Sequence, residues 1–204
     1  MKNMQIKLLT LLSTALFTCG GIAHECEKNN YEWGQGDEYS RVVRGLASLF
    51  QCIDTKNKSE YKLRDRTACN WFTSKAIEQL YGKHEFKHGD AYMTANQIAN
   101  ALFDETIVGW KNLGSADKQS VLTLGGSLVE QGKPVIAAWN NESGHGHVTI
   151  LIPGGLWHSP KWGLDVPNSA NMRLDKINSS FIGCPLANAF GADKKSTVVL
   201  YTTR

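Results

Sequence analysis

In Gly144-His145-Gly146-His147-Val148-Thr149-Ile150-Leu151-Ile152 the character of the chain changes. A glycine-rich polar segment gives way to a run of β-branched and aliphatic residues, the composition of a buried strand. Just upstream, Pro134 to Trp139 is a second such run, and Asn140 to Gly146 is the polar turn between them, so the two are expected to pair antiparallel. Pro153-Gly154-Gly155 is expected to end the second strand. Trp157 to Val166, with its Ser-Pro step and two tryptophans, reads as a loop leading into a further strand, and Thr197 to Thr202 as a last one.

Toward the N-terminus the period is helical. In Tyr39 to Ile53 the residues Val42, Val43, Leu46, Leu49 and Phe50 recur at helical spacing. A second helix begins near Cys69, capped by Asp65 or Thr67, and stops at Gly82; Phe72, Ala76 and Leu80 share the face of Cys69. Thr94 to Phe103 is a third helix, and Asp117 to Gln131 a fourth, expected to be broken by Gly125-Gly126. Helices first and antiparallel strands later is an α+β order, with the helices packed on the sheet.

Residues 1–23 read as an export signal. Lys2 and Lys7 form a basic start, Leu8 to Phe17 an apolar run too short to span a bilayer, and Gly21-Ile22-Ala23 a small-residue cleavage site. A lipoprotein alternative would use Cys19, preceded by the rather bulky Thr18. The expectation is an exported protein, periplasmic or secreted, with residues 24–204 as one domain. Without the two signal lysines, 20 basic residues face 19 acidic ones, which leaves no electrostatic footprint for nucleic acid or an acidic membrane surface. No later apolar run reaches membrane-spanning length.

Past the signal lie Cys26, Cys52, Cys69 and Cys184. No pair has C-x-x-C spacing, which argues against a zinc knuckle or a thioredoxin-type site. If Cys69 is a thiol, the other three allow one bridge, with Cys26–Cys52 and Cys52–Cys184 both open. Cys69 stands where a helix begins and His147 where a strand begins, the contexts that a thiol hydrolase needs. A helix N-terminus and a nearby imidazole both favour the thiolate. The imidazole takes the thiol proton and returns one to the leaving amine, while free N–H groups at the helix start stabilise the oxyanion. His145 competes with His147 for the role of base but precedes the apolar run.

These pieces resemble the NlpC/CHAP-like papain-fold cysteine peptidases, and within them most closely the type VI secretion amidase effectors of family one. The likeness runs from about Arg66 to Thr202. It rests on Cys69-Asn70-Trp71-Phe72, on Ala95-Asn96-Gln97-Ile98-Ala99-Asn100-Ala101-Leu102, on Pro134 to Ala138, and on Gly146-His147-Val148-Thr149-Ile150-Leu151-Ile152-Pro153-Gly154. The resemblance implies a papain-like fold and hydrolysis of amide bonds in peptidoglycan stem peptides. It makes Cys69 the nucleophile and His147 the general base and acid, with no cofactor and no metal. Its partners would be the peptide stems and a proteinaceous inhibitor or immunity protein. The chain departs from that family in carrying its own export signal. It also lacks a motif for the residue that orients the imidazole, for which Asp165, Asn168, Asn171 and a main-chain carbonyl all stay open.

A rival signal is His84-Glu85-Phe86-Lys87-His88, which matches the zinc-peptidase pattern H-E-x-x-H, with Glu105 as a third ligand. Gly82 and Gly89 confine it to under two helical turns, which argues against it. Trp139, Trp157 and Trp162 read as a groove floor or as core. A catalytically silent cell-wall binding or immunity-type module, or a protease or acyltransferase on the same scaffold, are further alternatives.

Overall fold

A computed structural model describes residues 37–52, 69–173 and 179–204. The expected signal, Cys19, Cys26 and the capping candidates Asp65 and Thr67 lie outside the described residues, as does the side chain of Cys52.

The described chain is α+β. Its helices are α1 (Asp37–Cys52), α2 (Cys69–Tyr81), α3 (Ala95–Phe103) and α4 (Gln119–Glu130). Its strands are β1 (Lys87–His88), β2 (Ala91–Tyr92), β3 (Trp110–Ser115), β4 (Val135–Trp139), β5 (His147–Ser159), β6 (Leu164–Asn171), β7 (Phe181–Pro185) and β8 (Val199–Thr203). β1 and β2 form a small hairpin, and the others a six-stranded antiparallel sheet in the order β3-β8-β4-β5-β6-β7.

Both faces of the sheet are covered, and strand alternation divides the core accordingly. Ile136, Ala138, Val148, Ile150 and Ile152 point to one face, where Val42, Leu46, Phe72, Ile77 and Ile98 of α1, α2 and α3 cover them. Val135, Ala137, Leu151 and Leu200 point to the other, against Val121, Leu122 and Val129 of α4 and the segment 186–190. Burial on both sides explains why β4 reads as a continuous apolar run rather than an alternating one.

The helices follow from local chemistry. α3 starts in a capping box: the Thr94 side chain accepts from the Gln97 amide, and the Gln97 side chain accepts from the Thr94 amide. α2 stops at Gly82, which takes φ +65 while its amide donates to the Glu78 carbonyl. α4 corrects an expectation, because it runs unbroken through Gly125-Gly126. A Cβ on Gly125 would lie 2.7 Å from Leu200 Cδ2 and 3.2 Å from Leu151 Cδ2. These glycines let the helix sit close on the sheet; they do not interrupt it.

β5 corrects a second. It passes through Pro153-Gly154-Gly155 and continues to Ser159, with a bulge between Leu151 and Leu156. Gly154 and Gly155 have φ of 132 and 80, and both of their amides donate to Glu130 Oε1 at the end of α4, at 2.7 and 3.0 Å. The glutamate satisfies the backbone that the bulge unpairs. Consequently 157–166 is a β-hairpin between β5 and β6, where a loop was expected.

Candidate active site

Three chain segments meet at the end of the sheet where β5 begins. Asn70 Nδ2 in the first turn of α2 donates to the Met93 carbonyl at 2.8 Å, which ties α2 to the lead-in of α3. Asn96 in the first turn of α3 grips the β4–β5 turn: its Nδ2 donates to the carbonyls of Asn141 and Gly144, both at 2.9 Å, and its Oδ1 accepts from the Asn141 amide at 3.0 Å. The Gly-His-Val step then has a physical reason. A Cβ on Gly146 would lie 2.6 Å from the Trp139 carbonyl and against Asn96 Oδ1. Only glycine lets the turn close and start β5 at His147.

Hydrogen bonds thus link the first turn of α2 to the lead-in of α3, and the first turn of α3 to the turn before β5. One turn further along α2, Thr73 Oγ1 donates to the Val148 carbonyl at 3.4 Å. Cys69 is a reduced thiol and is fully buried. Alternation along β5 sends Val148 into the layer that holds Cys69 and turns His147 toward the other face. There the ring meets Phe190 edge-on, with centroids 5.2 Å apart.

The imidazole is oriented by one of the three downstream candidates. His147 Nε2 lies 2.7 Å from Asn171 Oδ1 on the neighbouring strand β6. Asn171 Nδ2 donates to the Ser179 carbonyl at 3.1 Å, so the amide oxygen faces the ring. Nε2 then carries the proton, and in the neutral ring Nδ1 is the lone-pair nitrogen. Asn168, earlier on β6, is buried, its Nδ2 reaching the Pro153 carbonyl at 3.5 Å. Asp165 is on the surface, beside His158 Nδ1 at 3.0 Å.

Beside the imidazole opens a cavity of about 270 Å³, lined by Trp139, His147, Arg173, Phe190, Gly191 and Lys194 among others. His145 lies exposed in the turn at its rim. Of the three tryptophans, Trp139 is a wall, with Lys194 Nζ 4.7 Å above its ring. Trp162 is core, its Nε1 donating to the Gly191 carbonyl at 3.2 Å, and Trp157 is half-buried on β5. Phe190, Arg173 and Lys194 carry no local signal in the sequence. Arg173 follows the end of β6, and the fold delivers Phe190 and Lys194 through the segment 186–195, which Lys161 Nζ fastens by donating to the carbonyls of Ala187 and Phe190, both at 3.0 Å.

The H-E-x-x-H stretch is not helical. It spans the exit from α2 and the start of β1, so His84 and His88 share no helix face. Its polar groups belong to a different cluster. Glu78 accepts from Tyr92 Oη at 2.8 Å, lies 3.2 Å from His84 Nδ1, and pairs with Lys75 and Lys87. Burial alone would raise this carboxyl; the hydrogen bonds from Lys87, Tyr92, His84 and Lys75 outweigh that and hold it at about 2. Glu105 pairs instead with Arg204 at 2.9 Å. Among the described residues, no group of three or more His, Cys, Asp or Glu is placed to hold a metal ion.

Cys184 is half of a disulfide, so the pairing that left Cys184 as the odd thiol is excluded. No described helix is long and apolar enough to cross a membrane. The chain matches no known family and no curated protein in sequence.

Proposed function

We propose that this chain is an exported cysteine amidase or endopeptidase that hydrolyses amide bonds in peptidoglycan stem peptides, on a papain-like fold of NlpC/CHAP type. What supports the reading is the His147–Asn171 hydrogen bond, which leaves Nδ1 of the imidazole at the start of β5 as a lone-pair base. Asn171 positions the ring, as the third member of a thiol triad must.

In this mechanism Nδ1 accepts the Cys69 proton. The thiolate sulfur attacks the amide carbon, and the C=O electron pair moves onto oxygen, stabilised by the positive end of the α2 dipole. The tetrahedral species collapses, the C–N bond breaks, and the imidazolium protonates the departing amine. Water, deprotonated by the same nitrogen, then attacks the thioester and releases the carboxylate and the thiol.

Purified peptidoglycan incubated with the full chain should yield new amine and carboxyl termini, identified by mass spectrometry of the muropeptides. Cys69→Ala should abolish them while a chelator leaves them unchanged. Loss of products with the chelator and their persistence in Cys69→Ala would replace this reading by a metallopeptidase. The burial of Cys69 favours a second reading, a silent wall-binding module on the same fold. That reading requires binding to peptidoglycan with no product from the unmodified chain.

A further inference from the structure

We infer that Asn96 is a positioning residue: through the β4–β5 turn it fixes the main chain that carries His147, and so the imidazole that serves as base in the proposed hydrolase. The kinetic consequence rests on the peptidase reading above; the placement of the ring rests on the turn itself.

The segment from Asn140 to Gly146 is polar throughout, and Glu142 to His145 are exposed, so burial of apolar side chains does not set its position. Its internal bonds are local. The Gly144 amide donates to the Asn141 carbonyl at 3.1 Å, Ser143 Oγ to Asn141 Oδ1 at 3.2 Å, and Asn141 Nδ2 to the His145 carbonyl at 3.3 Å. These bonds close the turn on itself but do not hold it to the helices. Asn96 supplies that hold. Its Nδ2 reaches the carbonyls of Asn141 and Gly144, both at 2.9 Å, while its Oδ1 accepts from the Asn141 amide at 3.0 Å. Three bonds from one short side chain fix both the distance and the rotation of the turn.

Asn96 itself stands on a rigid element. It is the second residue of α3, inside the Thr94–Gln97 capping box. Ala95, Ile98, Ala99 and Leu102 bury that helix in the layer that also holds Cys69, Phe72 and Val148. On the other side the turn leads straight to the ring. Trp139 and His147 are opposite partners in the β4–β5 ladder, and a Cβ on Gly146 would meet both the Trp139 carbonyl and Asn96 Oδ1. A shift of the turn therefore moves the Cα of His147 while Asn171 stays on β6. The 2.7 Å contact between Nε2 and Asn171 Oδ1 is the first to suffer, and with it the preference for a proton on Nε2.

The test compares Asn96→Ala with Glu130→Ala, which loosens the same strand at its bulge rather than at its start. Both are made in the full chain, and thermal unfolding checks that each is folded at the assay temperature. Asn96→Asp, nearly isosteric but stripped of both donors, takes the place of Asn96→Ala if that variant does not fold. With Cys69→Ala added, so that the imidazole titrates without the thiol, long-range proton–nitrogen NMR reads the tautomer of neutral His147. The proton should sit on Nε2 in the Cys69→Ala chain and in its Glu130→Ala derivative, and the two tautomers should mix in its Asn96→Ala derivative. With Cys69 present, Asn96→Ala should lower kcat about tenfold to a hundredfold with KM within about threefold, the signature of a misplaced group rather than of lost binding. Glu130→Ala should keep kcat within about twofold. A tautomer unmoved by the Asn96 variant, equal effects of the two substitutions, or mixed tautomers before either is made overturns the inference. Hydrolysis that proceeds as fast in Asn96→Ala overturns the positioning role and leaves the peptidase. A tautomer that depends on Asn96 in a chain that hydrolyses nothing keeps the placement of the ring and ends the peptidase reading.

Discussion

Two regions of this molecule are rich in histidine and charge, and they use their polarity in opposite ways. Around Glu78 the partners are all internal: Lys75, His84, Lys87 and Tyr92 converge on one carboxylate and tie the end of α2 to the β1–β2 hairpin. Around His147 one bond is internal, to Asn171, and the rest of the ring faces an aromatic wall and a cavity edged by Arg173 and Lys194. Polar groups that saturate one another hold a scaffold together. A histidine ring that also faces a cavity is available to a ligand. The H-E-x-x-H letters fall in the first kind of region, and the Gly-His-Val letters in the second.

The sharpest way to break this contrast is at the thiol. Cys69→Ala should lower peptidoglycan hydrolysis by at least about a thousandfold, because the covalent route is lost, while leaving the Glu78 cluster and the stability it supplies intact. Asn171→Ala should reduce kcat by on the order of tenfold to a hundredfold through a loosened imidazole, and steady-state kinetics should show the loss in kcat more than in KM. Glu78→Gln should leave the rate per folded molecule unchanged and cost about 2 kcal/mol at neutral pH, measured by denaturant unfolding. The pH dependence has a definite sign. The Glu78 carboxyl is depressed from 4.5 to about 2 on folding. Its contribution is therefore complete above 4.5 and is lost as pH falls from there toward 2. The difference between Glu78→Gln and the parent should shrink over that window. His84→Ala, at a side chain that is 70% exposed, should change stability by no more than about 0.5 kcal/mol. A loss of hydrolysis in that variant would reverse the assignment of the two regions.

What the sequence makes legible is what local chemistry settles. Thr94 and Gln97 announce the start of α3 because a capping box needs no tertiary partner. Gly82 ends α2 because a left-handed residue must. Where the long-range environment sets a residue's role, local reading fails. Gly125-Gly126 looks like a helix breaker until Leu200 and Leu151 are seen to need the space. Pro153-Gly154-Gly155 looks like a strand end until Glu130 arrives from α4 to satisfy the bulge. The same division runs through the candidate site. Cys69 and His147 are proposed from their local contexts, whereas Asn171 stays one of several candidates until the β5–β6 pairing brings it to the His147 ring. Phe190 and Lys194 are invisible locally, since a returning segment beyond β7 carries them to the start of β5.

The proposed route requires that Cys69 be ionised with the help of His147. A pH titration of thiolate ultraviolet absorbance reads this directly and does not require a reagent to reach the buried sulfur. Taken as the difference between the folded chain and Cys69→Ala, it isolates this thiol from the other cysteines. The expected result is a thiolate already formed well below the ordinary cysteine range of about 8.5, with His147→Ala moving the transition back up to or above that range. A transition at or above about 8.5 in the parent, unmoved by His147→Ala, would contradict it.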